Sequence, residues 1–312
     1  MLTYNELKQN AREFLAMTSL NLIEFEALLP AFEIEYALTH PPTLTATGQP
    51  RLRKGGGGAK SRLRSLADKL LFVLIYQKTY MLQTAHGLQF NYSQSRANEL
   101  LHDLLPILQK AVSRAGYAPL RDGGAVAEEP PQAYQIDGTE RRRPRPENPE
   151  KQGDCYSGKK KAHTEKNIVL IAERTEKVIY LSPTVGGAQH DKKAAEEASI
   201  QFPVGSTLTK DLGFQAYAPA GVHSMQPHKK KRGRALRLYE VLSNRLIASA
   251  RILIEHVLAR IKRCRIVKDI FRNTKAGLSD VVMELACGLH NLRTEFRQAH
   301  SPAAIAAHIY FR

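Results

Sequence analysis

Cysteine is scarce in this chain of 312 residues: Cys155, Cys264 and Cys287 stand far apart and form no CxxC pair. That spacing excludes a zinc framework and a disulfide scaffold, and it fits a reducing compartment. Tryptophan is absent, and no aromatic motif of the RNP type is present, which argues against an RNA-stacking platform. Long apolar runs are missing too. The longest, LLFVLIY at Leu70–Tyr76, is far too short to span a bilayer. The start, MLTYNELKQNAREF, has no signal-peptide apolar region. These absences predict a cytoplasmic protein with no membrane partner. Acidic residues are outnumbered 30 to 46 by Lys and Arg, giving a formal charge of +16. Such an excess favours a polyanionic partner, above all nucleic acid, through phosphate contacts; a basic protein with no such partner is the alternative. The 43% hydrophobic content can fill a core, and the length accommodates two domains.

The apolar spacing predicts two helices within residues 3–38, the second capped by Thr18 or Ser19. A loop follows in which Gly55–Gly58 lie among Arg51, Arg53, Lys54, Lys60, Arg62 and Arg64. This is either a solvated linker or a flexible basic arm for phosphates. From Ser65 a strong helix pattern begins, followed by a short segment around Gly87 and a Ser93-capped helix lined by Leu100, Leu101, Leu104 and Leu105. That layout is expected of a helix-turn-helix over 61–118, with residues 1–60 as a separate leading segment. Gln94, Ser95, Arg96 and Asn98 would then meet base edges or phosphates of double-stranded DNA; a plain helical bundle would give the same pattern.

Residues 119–132, rich in Pro and Gly, are predicted to be a linker to a domain over 133–312. There the pattern changes to strands: AYQID ending in Asp137, a hairpin of NIVLIAE and KVIYLSP, and STLTKDLGF ending in Asp211. A helix (AQHDKKAAEEASIQF) precedes the last of these, and long helices follow from about Ala235 to Cys264 and from about Leu278 to His300. The alternation predicts an α/β layer with a mixed sheet. Strand ends are where such a sheet presents its site. Asp137, Asp211 and Glu255 converging there would suit two hard divalent cations about 4 Å apart, magnesium or manganese. With 30 acidic residues many triplets are possible, and Asp191 and Asp154 compete for the second position. Asp280 and Glu284 are expected to face solvent. Arg141, Arg142 and Arg143 follow the first aspartate, where a scissile phosphate would lie; a turn and a solvated loop would read the same way.

In order along the chain stand YQIDGTERRRPRP, YSGKKKAHTEKNIVLIAE, GGAQHDKK, TKDLGFQAY and RILIEHVLARIKRCRI. This series resembles the DDE-type bacterial transposases of the insertion-sequence-five kind, over most of residues 65–295. The resemblance implies a ribonuclease-H-like catalytic core behind an all-α helix-turn-helix domain. It makes Asp137, Asp211 and Glu255 the catalytic and metal-holding carboxylates, and gives Arg251 and Lys262 contacts to DNA near the transposon ends. Of the family's Tyr, Arg, Glu, Lys signature, Arg251, Glu255 and Lys262 are present, but Ala248 stands where the Tyr belongs. At about 100° per residue, Arg251 and Lys262 fall within about 40° of Glu255 on a helix. Ala248, Ile252, Leu258 and Ala259 flank that stripe, which predicts a partly covered cleft.

The expected function is transposition. Terminal inverted repeats would be bound and cut in a reaction dependent on two Mg²⁺ or Mn²⁺ ions, and the freed 3′-hydroxyl would be joined to target DNA. A homodimer or larger synaptic complex is expected, because two ends must be cut together. A non-integrating nuclease of the same fold and a non-catalytic DNA-binding regulator are the rival expectations.

Overall fold

The computed structural model describes residues 1–44, 49–50, 61–230, 233 and 235–299. Arg51, Arg53, Lys54, Lys60 and Gly55–Gly58 lie outside the described residues. The chain divides into two units. One comprises 1–118 with 263–266 and 281–289; the other holds 119–262, 267–280 and the residues from 290 on.

Among the described residues the first unit is built of helices: α1 (Tyr4–Leu7), α2 (Ala11–Thr18), α3 (Leu22–Thr39), α4 (Leu66–Thr79), α5 (Gln83–Gln89) and α6 (Gln94–Arg114). Among the described residues the leading segment makes three helices where two were expected. Ser19 takes a left-handed φ of 62° that ends α2, and Asn21 caps α3 in place of Thr18 or Ser19. Asn21 and Glu24 exchange hydrogen bonds with each other's backbone N–H, a capping box that satisfies two otherwise orphaned donors. Ser65 and Asp68 do the same for α4. Helix α4 is buried on all sides, from Leu70 to Gln77 without interruption, which makes it the central helix of this unit. Leu100, Leu101, Leu104 and Leu105 of α6 are buried as their spacing predicted. Glu284 does not face solvent: it is buried and accepts a hydrogen bond from Gln109 Nε2 at 2.9 Å.

The second unit is α/β. Its strands are β1 (Ala133–Arg142), β2 (Tyr156–Ser157), β3 (Ala162–Ala172), β4 (Val178–Leu181), β5 (Val185–Gly186), β6 (Ser206–Thr209) and β7 (Val222–Met225). Its helices are α7 (Pro149–Cys155), α8 (Asp191–Glu197) and α9 (Leu238–Ile261), and α10 (Leu278–Ala299) is divided between the two units. The sheet is mixed, in the order β2-β3-β1-β6-β7, with β4 and β5 also paired to β3. β1 runs antiparallel to β3 and parallel to β6, and β6 runs parallel to β7. One face carries the core: Tyr134 and Ile136 of β1, Ile168 and Leu170 of β3, Leu208 of β6 and Ala194 and Ala195 of α8. The Pro/Gly-rich stretch at 119–132 adds a 3₁₀ turn, Gly124–Glu128, that seats Val126 in this core. α9 lies on the opposite face. Gln135 Nε2 donates to the carbonyl of Ala250 (2.8 Å), and the Ile254 N–H donates to Gln135 Oε1 (3.2 Å).

Several expectations are corrected here. β1 does not stop at Asp137; it continues through GTERR because Gly138–Arg142 pair with Thr164–Ile168 of β3. Asp137 therefore sits mid-strand. β6 ends at Thr209, two residues before Asp211. Asp154, the other competing carboxylate, lies in α7. Asp280 does not face solvent alone: it accepts from the Thr184 N–H (3.0 Å) and Oγ1 (2.6 Å) and pairs with Arg121. Among the described residues no single helix is long and apolar enough to cross a membrane.

Candidate active site

Side chains alternate along a strand, so Gln135 and Asp137 share the face of β1 that α9 covers, while Ile136 and Gly138 face the core. The β1–β6 pairing ends at Gln135 opposite Thr209. Asp137 and Asp211 each lie two residues beyond that pair, on neighbouring parallel segments. Asp137 Oδ1 accepts from the Gly138 N–H at 2.8 Å. Asp211 caps the 3₁₀ turn Leu212–Phe214, its Oδ1 accepting from the Gly213 N–H at 2.6 Å.

The Asp137 carboxyl responds to its surroundings. Burial pushes the Asp137 carboxyl up to about 6; the Gly138 N–H opposes this, the Asp211 charge adds to it, Arg251 opposes it and Asp191 adds. Arg251 Nη2 lies 3.6 Å from Asp211 Oδ2, too long for a strong hydrogen bond. Its Nε is buried without a hydrogen-bond partner among the described residues. Two oxygen donors with incomplete cationic compensation suit a hard divalent ion. Among the described residues no three His, Cys, Asp or Glu side chains gather closely enough to hold a metal.

Glu255 is not brought to this pair. The packed face of α9 is Ile254, Val257, Leu258 and Ile261, whereas Glu255, Ile252, Ala248 and Ala259 are exposed. Along the stripe expected to border a partly covered cleft, Leu258 is buried and Arg251 and Lys262 are half-buried, while Glu255 between them is exposed. Glu255 makes no ion pair among the described residues. Lys262 closes α9 and is half-buried; burial lowers its ammonium pKa, nearby Lys160 adds, and Asp137 opposes.

The arginine run is split by the strand. Arg141 is buried, donating to Thr184 Oγ1 (3.2 Å) and Ser279 Oγ (3.1 Å), with Glu165 at 3.9 Å. This corrects the solvated or phosphate-facing loop expected there. Arg142 is exposed. Arg143 pairs with Glu165 at 2.6 Å and lines a cavity of about 480 Å³ with Arg145 and Lys151, away from the aspartates. In the helical unit Gln94, Ser95 and Arg96 are exposed. Arg96 pairs with Glu99 (2.6 Å), and Gln94 donates to Gln83, which donates to half-buried Asn98.

Residues 136–291 match the family model described as DDE superfamily endonuclease. The chain belongs to this family. The matched span contains Asp137, Asp211 and Glu255. Two curated relatives extend the likeness. A protein of Microchaete diplosiphon, named as a probable transposase for insertion sequence element IS702, is 26% identical over 228 residues, covering 72% of this chain and 80% of the relative. A protein of Streptomyces albus G, named for the transposase role in insertion sequence element IS112, is 26% identical over 251 residues, covering 77% and 87%. No solved structure matches significantly.

Within this DDE endonuclease fold, sequence spacing missed one group. Lys166 of β3 is buried, 2.8 Å from Asp191 Oδ1 and 3.7 Å from Glu140 Oε1, and donates to the Gln189 carbonyl at 2.7 Å. Asp191 stood out in the sequence as a competing carboxylate. Lys166 gave no signal, because its partners lie on two other segments, β1 and the turn into α8.

Proposed function

We propose that the chain is a transposase of the insertion-sequence-five kind, with a ribonuclease-H-like core and a helix-turn-helix unit that binds terminal inverted repeats. The observation that carries this is that Asp137 and Asp211 each follow the paired ends of β1 and β6 by two residues, with the Asp137 carboxyl raised first by burial and further by the Asp211 charge. Asp137 and Asp211 would hold magnesium or manganese, two ions in the full site. When bound, the metal would supply charge neutralisation at the scissile phosphate and an activated water. Glu255 is the third carboxylate of this proposal; its exposed side chain carries no competing ion pair among the described residues. Arg251, beside Asp211, and Lys262 would position the DNA end, and Gln94, Ser95, Arg96 and Asn98 would read the repeat. Arg142 and Arg143 offer phosphate contacts at the far end of β1; Arg141 supports them from within. Cleavage would free a 3′-hydroxyl for in-line attack on target DNA, with no covalent protein–DNA intermediate. The working form would be a homodimer or larger synaptic complex, in the cytoplasm and on the nucleoid when DNA-bound.

The test is nicking of a supercoiled plasmid carrying candidate terminal repeats, with Mg²⁺, Mn²⁺ or chelator. Cleavage should require metal and disappear in Asp137→Asn and Asp211→Asn; activity that survives chelation refutes the mechanism. The outward Glu255 and the Ala248 at the Tyr position favour a second reading, a non-catalytic DNA-binding regulator. In that case Asp137→Asn, Asp211→Asn and Glu255→Gln would leave every measured activity unchanged.

A further inference from the structure

We infer that Asp191, held by Lys166, is a positioning residue that fixes the spacing between the Asp137 and Asp211 segments; the inference rests on the catalytic role proposed for those two aspartates. The strand ladder cannot set that spacing, since the β1–β6 pairing stops at Gln135 and Thr209. Beyond it the two segments need another brace. Asp191, the first residue of α8, places its carboxylate against both. A Cβ built on Gly138, the residue after Asp137, would lie 2.8 Å from Asp191 Oδ1. One built on Gly213, whose N–H holds Asp211 Oδ1, would lie 2.9 Å from Asp191 Oδ2. A side chain at either position would force this carboxylate to shift, as expected where a strand or turn is closely approached.

The carboxylate does not stand there alone. Lys166 Nζ at 2.8 Å neutralises it, and the same ammonium is fixed by the Gln189 carbonyl and Glu140. Lys166 and Glu140 are themselves a cross-strand pair of β3 and β1. Asp191 is thus tied to β3 by charge and packed on the segments that follow Asp137 and Asp211. The alternation of β1 places it behind the sheet, on the Gly138 face, while Asp137 points to the α9 face. Asp191 acts through the backbone it braces and is not a ligand in its own right.

Full-length Asp191→Asn and Lys166→Met test this, each assayed for Mn²⁺ affinity by calorimetry without DNA, for plasmid nicking, and for thermal unfolding. Losing an outer partner of this kind costs roughly 10–100-fold in metal affinity or activity. Both variants should keep the fold, lose about that much Mn²⁺ affinity, and lose kcat with little change in KM for the plasmid. Should either single variant fail to fold, Lys166→Met/Asp191→Asn removes both charges together and is expected to show the same loss. Gly138→Ala keeps both charges but displaces the carboxylate, and should also lower kcat. Wild-type Mn²⁺ affinity and kcat in folded Asp191 and Lys166 variants would overturn the inference. Wild-type cleavage in Asp137→Asn would instead overturn the functional proposal beneath it.

Discussion

Replacing Asp137 with Asn should stabilise the metal-free protein above neutral pH, although it abolishes the proposed chemistry. The Asp137 carboxyl is raised from an ordinary 3.8 to about 6, first by burial and then, among the charges, by Asp211. Each unit corresponds to about 1.4 kcal/mol, so an ionised Asp137 costs the fold on the order of 2–3 kcal/mol. The sign follows from proton binding. Between roughly pH 4 and 6 the folded chain keeps a proton that the unfolded chain has released, so stability falls as pH rises through that window. The cost is fully present above the window and absent below it. Asn fits the same space and still accepts from the Gly138 N–H. Urea unfolding in chelator should therefore show Asp137→Asn more stable than wild type by about 2 kcal/mol near pH 8, with the gain vanishing near pH 4. Adding Mn²⁺ should stabilise wild type and leave the variant behind, since only a state that binds the ion gains from it. A variant less stable at high pH, or a difference independent of pH, would refute the account of Asp137 as a buried and poorly compensated charge.

Gly213→Ala, whose Cβ would crowd Asp191 Oδ2 and Asp211 Oδ1 at 2.9 Å, should cut metal-dependent nicking by roughly 10–100-fold with little loss of stability; unchanged nicking would count against the crowded geometry. His86 is buried against Phe72, Tyr76 and Phe90, and burial lowers it to about 4. The unfolded chain thus takes up a proton below about 6.5 that the folded chain refuses, and stability falls with acid; His86→Leu should flatten that slope in unfolding followed from neutral to acidic pH. Asn21→Ala removes one arm of the α3 capping box and should cost about 1 kcal/mol in chemical denaturation.

Much of this architecture is written in local pattern. Helix α6 follows from Ser93 and the leucines spaced behind it, and the β3–β4 hairpin follows from two short apolar runs with turn residues between them. Patterns of this kind depend only on neighbours a few residues away, and so survive reading without coordinates. The extent of β1 was not legible, because GTERR looks like a polar turn until Thr164–Ile168 arrive to pair with it. Arg141 looked solvated for the same reason, and only the tertiary structure supplies Thr184 and Ser279 as its partners.

By itself, then, the sequence determined the helices of the first unit and the mixed sheet of the second, since periodicity and propensity act within a few residues. Only the tertiary structure decided that Glu255 points outward while Ile254 packs inward, a matter of one 100° step on α9. It alone placed Lys166, Asp191, Gly138 and Gly213 together, because a charge pair and two close approaches between four separate segments leave no repeat for spacing to reveal.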